Sequence, residues 1–305
     1  MALFKKNKNK IGESFGDRVL LAFTTLLLLL VLVLVGYPVL YVISSSFSSN
    51  EALNAGKVVL FPVDFTLNGY KFVFGYDVVW RGFRNSILYT VGGVMITMSM
   101  NTLAAYPLSK PYYQGRGTIM GIFFASTLFG AGMIPTFLVK TSLGLFNNVF
   151  AVLLTGAVGV RNMIILRTCF RSSIPNELYD AAAIDGANDF QTMFKIALPL
   201  AKATLSVLTL YTAVGSWNEY FTSMIYLPDR EELHPLQLVL RPILSAAGKL
   251  DVTNVSSSDL LASINDGTQG VKFALIIIAT VPVLVMYFVV QKYFEKGVMV
   301  SSVKG

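Results

Sequence analysis

Residues Ser173 to Pro199 read SIPNELYDAAAIDGANDFQTMFKIALP, a polar stretch lying between two long apolar runs. Unsatisfied polar groups are costly in hydrocarbon, so a segment of this kind belongs at a membrane face. Its pattern divides into two helical halves about a hinge. Ser173 and Pro175 suit a helix start, and Glu177 and Asp180 put negative charge in the early turns, where the helix dipole favours it. Leu178, Ala181, Ala182 and Asp185 share one face at helical spacing. Gly186 can turn left-handed and end the first half. Asn188 or Asp189 can cap a second helix, whose face carries Phe190, Met193, Phe194 and Ala197, and Pro199 marks the entry to the next apolar run. The small residues of the first face would let another protein approach closely. An ordinary amphipathic interfacial helix would show the same periodicity.

The rest of the chain fits a membrane setting. Of 305 residues, 54% are hydrophobic and 13% charged, with mean hydropathy +0.62. Soluble domains carry about 25% charged residues. This is a polytopic membrane protein of all-α class, long enough for one transmembrane domain. The net charge of +7 is a topology signal and not a nucleic-acid footprint, because the positive residues cluster at segment ends. The single Cys169 excludes an intrachain disulfide, and the single His234 excludes a two-histidine metal site. Cys169 reads as an apolar contact and His234 as a solvated loop residue.

Six spans are expected. A basic tail, 1–18, precedes the first, Val19 to Ile43, which is too long for a signal-peptide core and should bend near Gly36 and Pro38. An outer loop, 44–82, should be irregular around Val58–Phe61, with a short helix near Asn68–Phe74. The second span is Phe83 to Leu108. The third, Thr118 to Thr141, is broken by Gly130, Gly132 and Pro135, which is tolerated where backbone faces protein or water. The fourth is Asn148 to Phe170 and the fifth Ala201 to Leu227. A second outer loop, 228–270, should hold helices near Leu236–Ala246 and Ser258–Ile264. The sixth span is Val271 to Val290, with Pro282 inside. The transmembrane domain thus covers 19–293 and a short tail 294–305.

Positive charge orients the spans. Lys5, Lys6, Lys8, Lys10 and Arg18, then Lys110 and Arg116, then Arg167, Arg171, Lys195 and Lys202, then Lys292, Lys296 and Lys304 all fall on one side, in the shorter loops, the adjoining span ends and the tails. That side is cytoplasmic. It holds both termini and the loop 172–200.

There is no G-x-x-x-x-G-K-[ST] phosphate loop and no G-x-S-x-G, so the chain holds no ATP of its own and gives no sign of a catalytic residue, a cofactor site or a metal site. Polar residues inside spans are the remaining signal, being costly there. The fifth span contains Trp217, Asn218, Glu219 and Tyr220. Aromatic faces with Asn and Glu hydrogen bonds suit a sugar path, whereas an aromatic belt with a structurally paired Glu219 is the plainer alternative. Arg161, beside Asn162, falls in mid-span and needs a partner or water. It either pairs with Glu219 or faces an aqueous cavity, where it would favour an acidic sugar.

Several of these stretches resemble one known family. Asp180-Ala181-Ala182, then Gly186 after three residues, then Ile196-x-Leu198-Pro199 after nine, is similar to the EAA loop of binding-protein-dependent ABC importer permeases. Asp180 stands where that family usually has Glu. The resemblance implies that Glu177, Asp180, Ala181, Ala182, Gly186, Ile196 and Pro199 dock the chain on an ATPase. Gly215 to Phe221 resembles a stretch of the maltose-type carbohydrate permeases. Gly130 to Thr136 with Leu143-Gly144-Leu145, and Asn162 to Arg167, are similar to the third- and fourth-span stretches of the same carbohydrate group, and the tail from Gln291 looks like its LplC-like subgroup, often associated with oligosaccharides released from complex polysaccharides.

The resemblance implies the type I importer transmembrane fold and one permease subunit of an ATP-driven carbohydrate importer in a bacterial cell membrane. It also implies a second permease, a different chain forming a heterodimer, two ATPase subunits holding ATP and Mg, and an extracytoplasmic solute-binding protein. An ion-coupled secondary transporter is the rival, but neither inverted repeats nor several intramembrane charges are visible.

Overall fold

Apolar, helix-forming sequence dominates, and the computed structural model, which describes residues 14–246 and 269–302, is helical with no strand among those residues. The chain divides into two compact units, residues 1–71 with 267–277, and residues 72–266 with 278–305.

In the first unit, α1 (Phe15–Ser46) runs unbroken through Pro38, and its residues up to Ile43 remain largely exposed. A helix apolar all round has no single inward face and suits lipid or partner contact. The serines that end it are buried and organise the following loop. Ser44 donates to the Leu60 carbonyl (2.6 Å), Ser48 accepts from the Val63 amide (3.1 Å), and Ser46 accepts from the Tyr70 hydroxyl (2.9 Å). The loop is irregular at Val58–Phe61, as expected, but α2 (Asn50–Asn54) was not legible. Asn50 accepts from the Gly270 amide at 3.0 Å. A Cβ on Gly69 would sit 2.9 Å from the Gly270 carbonyl, so this approach requires glycine. The short helix α3 (Asn68–Phe74) falls where it is expected.

In the second unit, α4 (Asp77–Ser109) is the axis against which the helices at 150–153, 160–172, 202–218 and 236–246 pack. The expected third span is α5 (Arg116–Leu128) and α6 (Met133–Ser142), bent by 118° across the Gly130–Gly132 break. The fourth departs from expectation. Instead of one helix over 148–170 there is a single turn, α7 (Phe150–Leu153), an irregular segment with Gly156 at φ +74°, and then α8 (Val160–Ser172). Thirteen residues of α8 reach only about 20 Å, short of a hydrocarbon core of about 30 Å.

The segment 173–199 forms α9 (Asn176–Ile184) and α10 (Asp189–Thr192), followed by a π-turn at Met193–Ala197 and a short α11 (Leu198–Leu200). The chain then bends by 82° into α12 (Lys202–Asn218). The fifth span is broken at Glu219, where α13 (Phe221–Tyr226) begins. Helix α14 (Leu236–Ala246) matches expectation, the helix expected near Ser258–Ile264 lies outside the described residues, and α15 (Gln269–Ser302) is the sixth span, continuous through Pro282. By length and composition α1, α4 and α15 are long and apolar enough to cross a membrane, and two bent pairs join them if each is one span.

One buried cluster of this unit lies at the C-terminal end of α4. Ala105, Tyr106 and Leu108 pack with Met163, Leu166 and Phe170 of α8, and with Met193, Ala197 and Ala201 beyond the 173–199 hinge. The polar loop thus meets the membrane helices across a buried apolar contact. Elsewhere α4 anchors the 228–236 segment by polar side chains. Asn85 donates to the Glu232 and His234 carbonyls, Tyr89 to the Leu233 carbonyl, and Ser86 accepts from the Leu236 amide. His234 is not the solvated residue expected, since its ring nitrogen bonds the Leu227 carbonyl at 2.9 Å.

Candidate functional site: the coupling loop and the solute path

The hinge of the 173–199 loop forms as its residues dictate. Gly186 has φ +72°, the Ala187 amide bonds the Ala182 carbonyl, and the Gly186 amide bonds the Ala183 carbonyl, closing α9 in a left-handed cap. Asn188 then caps α10 and exchanges bonds with Gln191. Glu177, Asp180, Ala181, Gly186 and Pro199 are exposed, Ile196 is half-buried, and Ala182 is buried. Ile184, Phe190 and Phe194 are exposed at 87%, 66% and 60%. The expected single apolar face of the second half is thus split. The wider π-turn sends Met193 and Ala197 into the core and leaves Phe190 and Phe194 outside.

The loop is tied to the end of α4. Lys110, 4% exposed, places its ammonium 2.7 Å from the ring centre of Tyr179 on α9 and 4.6 Å from that of Tyr106 on α4. Such a desolvated cation–ring contact is worth about 2 kcal/mol. Burial pushes the Lys110 ammonium down to about 8, with Asp189 pulling the other way, and pushes the Tyr179 phenol up to about 12. Tyr112 donates to Asp189 at 2.8 Å. The last carbonyls of α4 are satisfied by cations: Arg167 donates to Leu108 (2.9 Å) and Arg116 to Lys110 (3.2 Å). A cavity of about 230 Å³ opens here, lined by Tyr106, Lys110, Tyr112, Asp189 and Phe190 among others.

A second cavity, of about 310 Å³, gathers residues from four elements. Arg161 and Asn162 of α8 meet Tyr211, Thr212, Ser216 and Glu219 on and after α12, Tyr89, Gly93 and Thr97 of α4, and Thr155. Arg161 and Asn162 also line an adjoining cavity of about 460 Å³ with Thr204 and Tyr211. Asn162 donates to Thr212 at 3.4 Å. Among the described residues Arg161 makes no ion pair with Glu219, and it is exposed to the cavity. The structural pair is therefore not formed. Glu219 instead accepts from the Thr222 amide (2.8 Å) and has Lys140 as its electrostatic neighbour. Lys140 donates to Thr155 (2.6 Å) and lies over the Tyr226 ring.

Three of the six residues assigned to the path from sequence come together here, and three do not. Trp217 is fully buried, edge-on to Phe83, its indole N–H donating to the Ala279 carbonyl at 3.0 Å. It holds helices together and does not reach the cavity. Asn218 bonds the Val214 carbonyl and Gln237, and Tyr220 lies under the Arg241 guanidinium. The sequence reading missed Tyr89, Tyr211 and Lys140. The polar stripe Thr212, Ser216, Glu219 at i, i+4, i+7 would have pointed to this face.

Broken helices, polar residues at the breaks and a polar cavity between the helices define a membrane transport domain. The family described as "Binding-protein-dependent transport system inner membrane component" matches residues 12–300, and the chain belongs to it. It is a multi-pass membrane permease and not an enzyme. As an inner-membrane component of a binding-protein-dependent system it works with a partner permease, an ATPase and a solute-binding protein. It is 38% identical to protein LplC of Bacillus subtilis (strain 168) over 268 residues, 88% of this chain and 89% of that one. It is 37% identical to the polygalacturonan/rhamnogalacturonan transport system permease protein YtcP of the same organism over 270 residues, 88% and 92% of the two chains. A solved bacterial ABC transporter involved in the import of the acidic polysaccharide alginate aligns with TM-score 0.84 and 35% identity, covering 93% of this chain and 100% of that one. The type I importer fold is thereby the fold of this chain.

Proposed function

We propose that the chain is one permease subunit of an ATP-driven oligosaccharide importer whose substrate carries carboxylates. The observation that carries this is Arg161, which faces two adjoining cavities and makes no ion pair among the described residues. A cation in mid-membrane needs water or an anion. Glu219, the other charge in the larger cavity, is engaged by the Thr222 amide and neighboured by Lys140. The cavity is thus left with an uncompensated positive group beside hydrogen-bonding Asn162, Thr212 and Ser216, a combination that suits sugar acids. Tyr211 adds an aromatic face. Polygalacturonan, in the name of one relative, is a polymer of a sugar acid, and the solved relative imports an acidic polysaccharide.

In this reading the 172–200 loop faces the cytoplasm with both termini. Glu177, Asp180, Ala181, Gly186 and Pro199 meet an ATPase there, with Ala182 and Ile196 setting the loop's shape. A second, different permease completes the path, two ATPase subunits hold ATP and Mg, and a binding protein delivers substrate to the outer loops 44–82 and 228–270. The test is uptake by the reconstituted complex of galacturonate oligosaccharides against neutral oligosaccharides of the same length. Wild type should prefer the acid, and Arg161→Gln should lose that preference with assembly intact. Equal uptake of both by wild type, or an unchanged preference in Arg161→Gln, would overturn it.

A further inference from the structure

Lysine just past a membrane helix ordinarily extends its ammonium toward water. Lys110 does the reverse. It is buried between the Tyr106 and Tyr179 rings, with no ion pair among the described residues. The Tyr106 hydroxyl is itself buried without a hydrogen-bond partner among them, so that residue acts here through its ring. The backbone behind Lys110 is fixed, because Arg116 and Arg167 hold the carbonyls at the end of α4. Both halves of the loop are attached at this point, α9 through Lys110 and Tyr179, and α10 through the bond from Tyr112 to Asp189. From this joint α4 continues as one helix to Thr97, Gly93 and Tyr89 in the path cavity. A rigid element anchored at one end and lining the path further along can carry displacement between the two.

We propose that Lys110, clasped by Tyr179 and Tyr106, is the positioning residue that passes movement of the 173–199 loop to α4 and so to the solute path. The proposal rests on the reading of that loop as the ATPase-docking segment. It requires a cation and a ring, and neither the lysine's exact shape nor the Tyr179 hydroxyl.

The experiment uses the assembled importer carrying Thr97→Cys on a Cys169→Ser background. It reads the change in maleimide labelling rate at Thr97→Cys when ATP is added, which needs no knowledge of the sugar. Lys110→Met should keep the ATPase bound but shrink the ATP-driven change about tenfold, within the range of coupling between distant sites. Lys110→Arg and Tyr179→Phe should keep it, and Tyr179→Leu should lose it. A full ATP response in Lys110→Met overturns the proposal. If Lys110→Met does not assemble, Tyr179→Leu against Tyr179→Phe decides, and equal responses from those two overturn it. Gly186→Leu separates the underlying reading. If it too leaves ATPase binding and the ATP response intact, the docking role of the loop falls. If it alone abolishes them, only the role of Lys110 falls.

Discussion

The Glu219 carboxylate accepts a 2.8 Å hydrogen bond from the Thr222 amide and makes no pair with Arg161, although both line one cavity. From the position before the N-cap Tyr220, Glu219 thus satisfies one amide of the first turn of α13 at the break in the fifth span. Because no buried pair exists, Glu219→Gln strands no Arg charge, and the amide oxygen can still accept from Thr222. The complex of Glu219→Gln should assemble at wild-type yield. Uptake should shift further toward acidic substrates, since a negative charge has left the cavity. Poor yield of the single variant, restored by adding Arg161→Gln, would show that the pair forms in the assembled importer.

Gly186 allows steric and docking effects to be told apart. Its φ is +72°, and a Cβ built there meets nothing within 4 Å in this chain. A larger residue therefore costs the permease only backbone strain, roughly 1–2 kcal/mol. Gly186→Leu should insert in the membrane normally but release the ATPase on purification, because the side chain occupies space the partner needs. Gly186→Asn, which tolerates the left-handed region, should keep more of the bound ATPase. Normal uptake by Gly186→Leu would remove the docking role. Asp180→Glu, exposed on α9, should be nearly neutral.

The long apolar runs made α1, α4 and α15 legible, and Gly130, Gly132 and Pro135 made the third break legible, because hydrocarbon leaves so few backbone choices. The hinge of the 173–199 loop was legible for a similar reason: a residue free to turn left-handed closes α9, as Gly186 does. The fourth span was misread because LLTGAVG, Leu153–Gly159, is as apolar as a helix and its break depends on tertiary packing. Packing also decides the π-turn, which buries Met193 and Ala197. Lys110 was read as one of the topology lysines, since a lysine at a span end looks the same in sequence whether it is solvated or clasped. Trp217 shows the same limit: an aromatic residue beside Glu219 reads identically whether its ring faces the path or the neighbouring helix.

Trp217 can be tested as a structural residue. Its indole fills a site with no exposure and satisfies the Ala279 carbonyl. Trp217→Phe leaves that carbonyl without its donor, a loss of about 1–3 kcal/mol. The purified complex should unfold at lower temperature while the molecules that remain folded keep the wild-type preference among oligosaccharides. A changed preference without lost stability would return Trp217 to the path.

The orientation can be tested at a residue the fold leaves free. Ile184 is 87% exposed at the end of α9 and makes no side-chain bond among the described residues, so a cysteine there perturbs little. Cys169 is buried in the core between α4 and α8, and Cys169→Ser provides a clean background. Fourteen of the 24 Lys and Arg residues fall at the loops, span ends and tails on the same side as this loop, and that charge bias predicts a cytoplasmic position for it. An impermeant maleimide added outside intact cells should leave Ile184→Cys unlabelled. The same reagent should label it in inverted vesicles stripped of the ATPase. A cysteine at exposed Phe61, in the loop 44–82, should behave the opposite way. Labelling of Ile184→Cys from outside would reverse the whole topology, and with it the assignment of 173–199 as the coupling segment.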